Sequence, residues 1–386
     1  MFDNRLYIAT VILMFISLVF VYSLSIFATV YFDTSEYIFF KKQFISVLIS
    51  LFLLTFIAHM NPFKVYPILG KIIFIGSFIA IVAMLFLPES IVTATLGAKR
   101  WIKFGSISIA PSEFFKYGFA FFLAIVLSKR LETFKSSSTI KQIFILTPTF
   151  ILFFIAMLII AVGQKDLGQV VVLFGLLMVL LYLSGVNRGF FVTLGLLAVA
   201  AVIILIKIAP HRIDRFKGWW VGIQNGVLSI LPDSIANALK VTDKVAPLNV
   251  KNSINAINNG GIFGQGLGNG QFKLGYLSEV HTDFVLAGIS EEIGFLGLLL
   301  IIGLLIFIVY RIFKIANNLE HIQEKLFAYG VGVIITLEFL INAYGISGLI
   351  PVKGIAVPML SYGGSQLIAT SIAIGMVLML SRKENI

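Results

Sequence analysis

The chain has 386 residues, of which 59% are hydrophobic and only 12% charged, and its mean hydropathy is +1.02. A soluble domain carries about 25% charged residues, so no water-soluble core could hide this much apolar surface and a membrane protein is the class that remains. The net charge of +11 suits anionic lipid surfaces or a polyanionic head group, not nucleic acid, because the basic residues lie between apolar runs instead of on one compact domain; zero cysteines exclude a disulfide framework and thiolate chemistry.

In chain order, Asp3 and Arg5 precede a first apolar run, 6–30, which is longer than the hydrophobic region of a signal peptide and lacks a small-residue cleavage site. It is expected to stay as the first span. A hydrocarbon core of about 30 Å needs about 20 helical residues, and runs of that size follow at 43–59, 68–87, 112–128, 142–162, 168–185, 189–209, 284–310, 326–347 and 366–381. The expectation is an all-α polytopic membrane protein with ten transmembrane helices, a single domain over 1–386, and a large extracytoplasmic loop, 210–282, between helices 7 and 8. A loop of that length is expected to fold as a cap with one or two short helices over 221–239. Lys129, Arg130, Lys135 and Lys141, then Arg311, Lys314 and Lys325, then Arg382 and Lys383 all fall on one side of a ten-span path. The positive-inside rule makes that side, and both termini, cytoplasmic.

The polar residues concentrate on the other side. The third loop, LGAKRWIKFGSISIAPSEFFK, puts Lys99, Arg100 and Lys103 where positive-inside forbids them, so either the topology fails locally or the cluster has a task. Lysine and arginine are the natural donors to phosphoryl oxygens, and a pyrophosphate would suit them. Trp101 is either an interfacial anchor or part of that site, and Pro111-Ser112-Glu113 is a helix start with an acid favoured by the helix dipole. Pro148 is expected to kink the fifth span near its beginning. The short turn Gly163–Gly168 carries Lys165 and Asp166, as an ordinary surface ion pair or as a contact to substrate. Arg212, Arg215 and Lys217 add cations on the same face.

Between Gly260 and Gly270 the chain is dense in glycine, which lets amides approach an anion, but it has neither a P-loop ending nor a strand context and no nucleotide is expected. A tight loop lying against the helices is the alternative. His281-Thr282-Asp283-Phe284 then carries an acid into the apolar run that begins at 284; such a group by default suggests function. Asp283 is either a general base, its pKa lifted by partial burial above the usual value of about 3.9, or a helix N-cap. Counted at about 100° per residue, Glu291 shares the interior face with Asp283 while Glu292 turns away to pack against another helix or cap a buried polar group. The chain's four histidines, His59, His211, His281 and His321, make a zinc site unexpected. Finally Gly348–Gln366, with Pro351, Lys353, Pro358, Ser361 and paired glycines, cannot continue an ordinary helix; irregular backbone at this depth belongs beside a cavity.

Four blocks, GAKRWIKFGSISIAPSEFFK, KDLG, NNGGIFGQGLGNGQFKLGYLSEVHTDFVLAGISEEIGFLG and PVKGIAVPMLSYGGS, resemble the signatures of the SEDS family, the FtsW, RodA and SpoVE proteins of division, elongation and sporulation. The resemblance covers essentially the whole chain. It implies a ten-helix glycosyltransferase of the inner (cytoplasmic) membrane that polymerises lipid II, works with a class B penicillin-binding protein and other divisome proteins, and needs no nucleotide. The family's catalytic aspartate would be Asp283. The family's conserved residues of the third loop and the next helix would be Arg100, Trp101, Glu113 and Lys116; Lys103, Asp166, Arg212, Arg215, Lys353 and Ser361 are further candidate contacts to substrate or pyrophosphate, with a divalent cation, Mg or Mn, as a candidate cofactor. Lys353 resembles the division-type members, implying septal synthesis; an elongation polymerase, a lipid II flippase and a non-catalytic divisome scaffold are the alternatives. Ser278 and Gln366 depart from the family pattern, which usually has proline and serine there.

Overall fold

The computed structural model describes residues 2–31, 33–88, 91–95, 98–104, 107–196, 210–242 and 247–382. Eight described helices are long and apolar enough to cross a membrane: α1 (Asn4–Leu24), α3 (Ile38–His59), α4 (Pro62–Ala83), α5 (Pro111–Ser128), α7 (Thr139–Leu158) with the π-helical turn Ile159–Gly163 that prolongs it, α13 (Val285–Asn318), α14 (Ile322–Ile346) and α15 (Gly364–Ser381). α8 (Leu167–Leu183) is apolar but shorter. The expected seventh span, 189–209, lies mostly outside the described residues: 188–196 are helical (α9) and 197–209 are not described. Short helices fill the connections: α2 (Ile26–Tyr31), α6 (Leu131–Ser136), α10 (Pro210–Leu228), α11 (Asp233–Leu239) and α12 (Leu248–Gly260). The loop over 210–282 thus carries more helix than its sequence suggests.

One element departs from the all-α expectation. The third loop forms a small antiparallel sheet, β1 (Val92–Thr95), β2 (Ala98–Phe104) and β3 (Ile107–Ile109), in the order β1-β2-β3. Its far end joins the bundle through Ser365, whose hydroxyl accepts from Ala110 N at 2.9 Å and donates to Ser108 O at 3.2 Å.

α5, α14 and α15 form the centre and are buried over most of their length, whereas α3, α4, α7 and α13 turn an apolar face outward. Phe52, Ile72, Phe144 and Leu300 on that rim are each more than 60% exposed, as lipid-facing side chains should be. Close approach of α4 and α5 depends on Gly118, where a Cβ would sit 2.6 Å from the Cα of Phe74. Pro148 lies inside α7 without ending it.

Charge inside the bundle is paired. Lys116 is fully buried and donates to Glu113 at 2.6 Å and to Glu338 of α14. Near the N-terminus, Asp3 caps α1 by accepting from Leu6 N and pairs with Arg311 at the far end of α13. Both arrangements satisfy the rule that a buried ion needs a partner.

Candidate active site

A cavity of about 480 Å³ opens at the end of the bundle where β2, α5, α8, α15 and the turn before α13 meet. Asp283, Glu279, Thr282, Arg100, Trp101, Glu113, Asp166, Gln169, Ser365 and Gln366 are among its walls.

Asp283 is presented by a turn whose backbone is fully occupied. The amides of Thr282, Asp283 and Phe284 all donate to Glu279 O at 3.1, 3.0 and 3.3 Å, with Glu279 itself in the left-handed region at φ +54°. The carbonyls of His281, Thr282 and Asp283 accept from Tyr362 N at 2.8 Å, Ser361 Oγ at 2.7 Å and Asn342 Nδ2 at 2.6 Å. Held on three successive carbonyls from two other elements, the turn has a fixed position, and the Asp283 carboxylate projects from it into the cavity. α13 is capped at Phe284 without a side-chain bond, so Asp283 is not a helix cap. Across from the carboxylate, Gly354 at φ +62° would bring a Cβ to 3.0 Å from Asp283 Oδ2; glycine here keeps the space open.

Burial pushes the Asp283 carboxyl up to about 7, the charge of Glu279 and, more weakly, Asp166 pushing the same way while Arg100 opposes them. A carboxylate with that pKa is half ionised near neutral pH and is matched to accepting a hydroxyl proton. Asp166 is also raised, chiefly by burial, with Arg100 opposing. His281 is lowered by burial, with the charge of Glu279 opposing, and packs against the rings of Phe39 and Tyr362.

Arg100 bridges the sheet and the bundle: Nε donates to Gln164 O at 3.0 Å, Nη2 to Lys165 O at 2.9 Å, and Nη1 lies 3.8 Å from Asp166. Asp166 caps α8 by accepting from Gln169 N and also lines the cavity, which combines the two readings of the 163–168 turn. Glu113 accepts from Gln169 Nε2 at 2.7 Å and from Lys116 at 2.6 Å, which links the cavity wall to the buried Lys116–Glu338 pair. The first turns of α5, α8 and α15 all face this cavity, through Ser112, Gln169 and Gly364. Three positive helix ends and one guanidinium suit an anion.

A family model for cell cycle proteins of the FtsW, RodA and SpoVE type matches residues 4–386. A probable peptidoglycan glycosyltransferase FtsW of Helicobacter pylori is 43% identical over 382 residues, covering 98% of both chains, and stage V sporulation protein E of Bacillus subtilis is 33% identical over 98% of this chain and 97% of its own. The chain belongs to the FtsW/RodA/SpoVE family.

Solved folds agree: a chain from a peptidoglycan synthase complex superposes with TM-score 0.71 at 21% identity over 99% of this chain and 98% of that one. The rod shape determining protein RodA of Thermus thermophilus gives 0.64 at 20% identity over 99% and 97%.

Of the residues expected from the family pattern, Asp283, Arg100, Trp101, Glu113 and Asp166 meet in the cavity. Others do not. Lys103 is exposed on β2 and outside the cavity wall, Lys116 is sealed one layer beneath it, and Ser361 is an internal brace, accepting from Val357 N while donating to Thr282 O. Lys353 precedes the lining residue Gly354. The side chains of Arg212 and Arg215 lie outside the described residues. Glu291 does not share the face of Asp283: α13 starts only at Val285, so a helical count begun at Asp283 misplaces it, and its carboxylate binds the glycine segment instead. Glu279 and Gln169 were not anticipated; Ser365 falls in the irregular stretch 348–366 that the sequence places beside a cavity. Gln366, noted only as a family departure, stands on the cavity wall and donates to Ala356 O at 2.8 Å.

Proposed function

We propose that this chain is the septal, division-type polymerase of the family, a peptidoglycan glycosyltransferase acting on lipid II at the outer face of the cytoplasmic membrane with a class B penicillin-binding protein as partner. The single observation that carries the reading is Asp283, a carboxylate with its pKa near neutrality on the wall of a cavity ringed by helix N-termini, in a chain that belongs to this family. The 43% identity to a probable FtsW glycosyltransferase supports the division assignment over elongation.

In this reading the C4 hydroxyl of the acceptor's N-acetylglucosamine gives its proton to Asp283. Its oxygen forms the bond to the anomeric carbon of the donor's N-acetylmuramic acid, while the bond from that carbon to the pyrophosphate oxygen breaks and undecaprenyl pyrophosphate leaves. The first turns of α5, α8 and α15, with Arg100, stabilise the departing charge. Both lipid tails stay in the bilayer.

Among the described residues no group of three or more His, Cys, Asp or Glu side chains forms a metal site. A divalent cation would therefore enter the cavity on the substrate's pyrophosphate and would supply neutralisation of that charge.

Among the described residues, polar side chains crowd one end of the bundle, and the buried Lys116 within it is held between Glu113 and Glu338. This favours chemistry over transport. The test is the purified chain with its class B partner in liposomes supplied with lipid II: glycan strands on a gel are expected. Movement of lipid II across the bilayer without polymer would replace the reading with a flippase.

A further inference from the structure

α13 is broken at Gly294, where φ is +70° and ψ −177°. In an unbroken helix the amides of Phe295 and Leu296 would bond the carbonyls of Glu291 and Glu292. Here the glycine segment enters between them. Gln265 N and Gly266 N take those two carbonyls, each at 2.9 Å, while Gly261 O and Ile262 O take the two amides at 2.9 and 3.2 Å. The segment thus replaces the missing rungs of the ladder, giving these two carbonyls and two amides partners.

The fit requires glycine on both strands of the crossing. A Cβ on Gly264, at φ +83°, would lie 2.3 Å from Glu292 O, and one on Gly294 would lie 2.3 Å from Gly264 N. Side chains then lock the insert. Glu291 accepts from Asn259 Nδ2 and Gln271 N, each at 2.8 Å, and Glu292 pairs with Lys273 at 2.7 Å while accepting from Ser23 of α1 at 2.6 Å. Lys273 is 2% exposed and Glu292 0%, so this ion pair is sealed.

We propose that residues 260–273 form a wedge that sets the angle of the short helix Val285–Ile293, and that Gly264, Lys273 and Glu292 are positioning residues for Asp283 at its head. The helical stub has Asp283 at one end and the wedge at the other, fewer than three turns apart. A rigid stub that short transmits a tilt at Glu291 and Glu292 directly to the turn that carries Asp283. The proposal rests on Asp283 being the base.

The test compares Gly264→Ala with Gly185→Ala. Both positions have positive φ, +83° and +76°, but Gly185 lies in the turn after α8, outside the wedge, and a Cβ there meets nothing within 4 Å, so the second variant carries the same kind of backbone cost without the clash. Gly264→Ala is expected to lower kcat on the order of 10²-fold with KM for lipid II within about threefold of wild type. Its acid limb should move to lower pH, because a displaced carboxylate regains water while Glu279, Asp166, Glu113 and Arg100 still face the cavity. Hydrogen exchange over 282–290 should quicken. Glu292→Gln should act in the same direction, and Gly185→Ala should match wild type. Equal kcat and acid limb in both alanine variants would overturn the proposal, as would fast exchange at Gln265, Gly266, Phe295 and Leu296 in the unmodified protein. Failure of the base assignment looks different: Asp283→Asn would then keep the rate and the acid limb of wild type.

Discussion

At the scale of single residues, the account turns on what surrounds one carboxylate. Glu279 and Arg100 act on Asp283 with opposite sign, Glu279 raising its pKa and Arg100 lowering it. A base works when ionised, so the rate should rise with pH through about 7. Glu279→Gln removes a raising charge, and the acid limb of kcat is expected to move to lower pH. Arg100→Ala removes a lowering charge, and the limb should move to higher pH while kcat falls, because the guanidinium also holds the 164–166 turn. Lysine should not restore it, since an ammonium lacks the planar guanidinium fork whose Nε and Nη2 reach the carbonyls of Gln164 and Lys165. A pH–rate profile of each variant checks both signs; shifts in one common direction would contradict the electrostatic assignment. Asp283, Arg100, Glu113 and Asp166 were legible in the sequence because each is a charge placed against apolar spans. Gln169 was not, since an uncharged polar residue near a helix start is ordinary and only the fold turns it into part of a cavity wall. Lys103 misled for a different reason: it lies on β2 beyond Trp101, exposed and outside the cavity wall, so a basic cluster in sequence divides in space.

Among the elements, helix lengths followed from the apolar runs, and the described spans lie close to those runs. The breaks did not follow. No periodicity distinguishes the Gly294 kink from an ordinary glycine in a span, because the cause is a hydrogen-bonded insert from residues 261–266, beginning more than thirty residues upstream. The sheet of the third loop was equally hidden, its strands being only 4, 7 and 3 residues long. The buried Lys116–Glu113–Glu338 group yields a prediction at this scale. Lys116→Met leaves Glu338, which is 0% exposed, without its cation, and breaking one side of a buried pair costs about 3–5 kcal/mol. Thermal unfolding in detergent should therefore fall sharply for Lys116→Met and recover much of the loss in Lys116→Met with Glu338→Gln. A double variant no more stable than the single would show that Lys116 acts by its shape and not by its charge.

For the whole molecule, orientation decides whether the cavity meets its substrate. By the positive-inside rule the basic loops 129–141 and 311–325 are expected to face the cytoplasm, with the cavity at the opposite end of the bundle. With no native cysteine to interfere, Asn318→Cys should be shielded from an impermeant thiol reagent in intact cells and Lys251→Cys labelled, both positions being exposed on the protein surface. The reverse pattern would put Asp283 on the wrong face. The family and its membrane architecture could be seen in four sequence blocks, but the meeting of the third loop, the 163–168 turn and the 351–366 strap at one carboxylate required the folded chain. The most direct measurement is polymerisation by Asp283→Asn, which keeps the size of the side chain and removes the base. Wild type and variant, each with the class B partner, receive lipid II and a divalent cation, and glycan strands are followed on a gel across pH. A positioned base contributes about 10²–10⁴-fold, so the variant is expected to insert, bind its partner and make essentially no polymer, while wild type gains activity through about pH 7. Polymer from the variant within about threefold of wild type, with the same pH dependence, would contradict the account, since a lost base leaves a deficit of at least about a hundredfold.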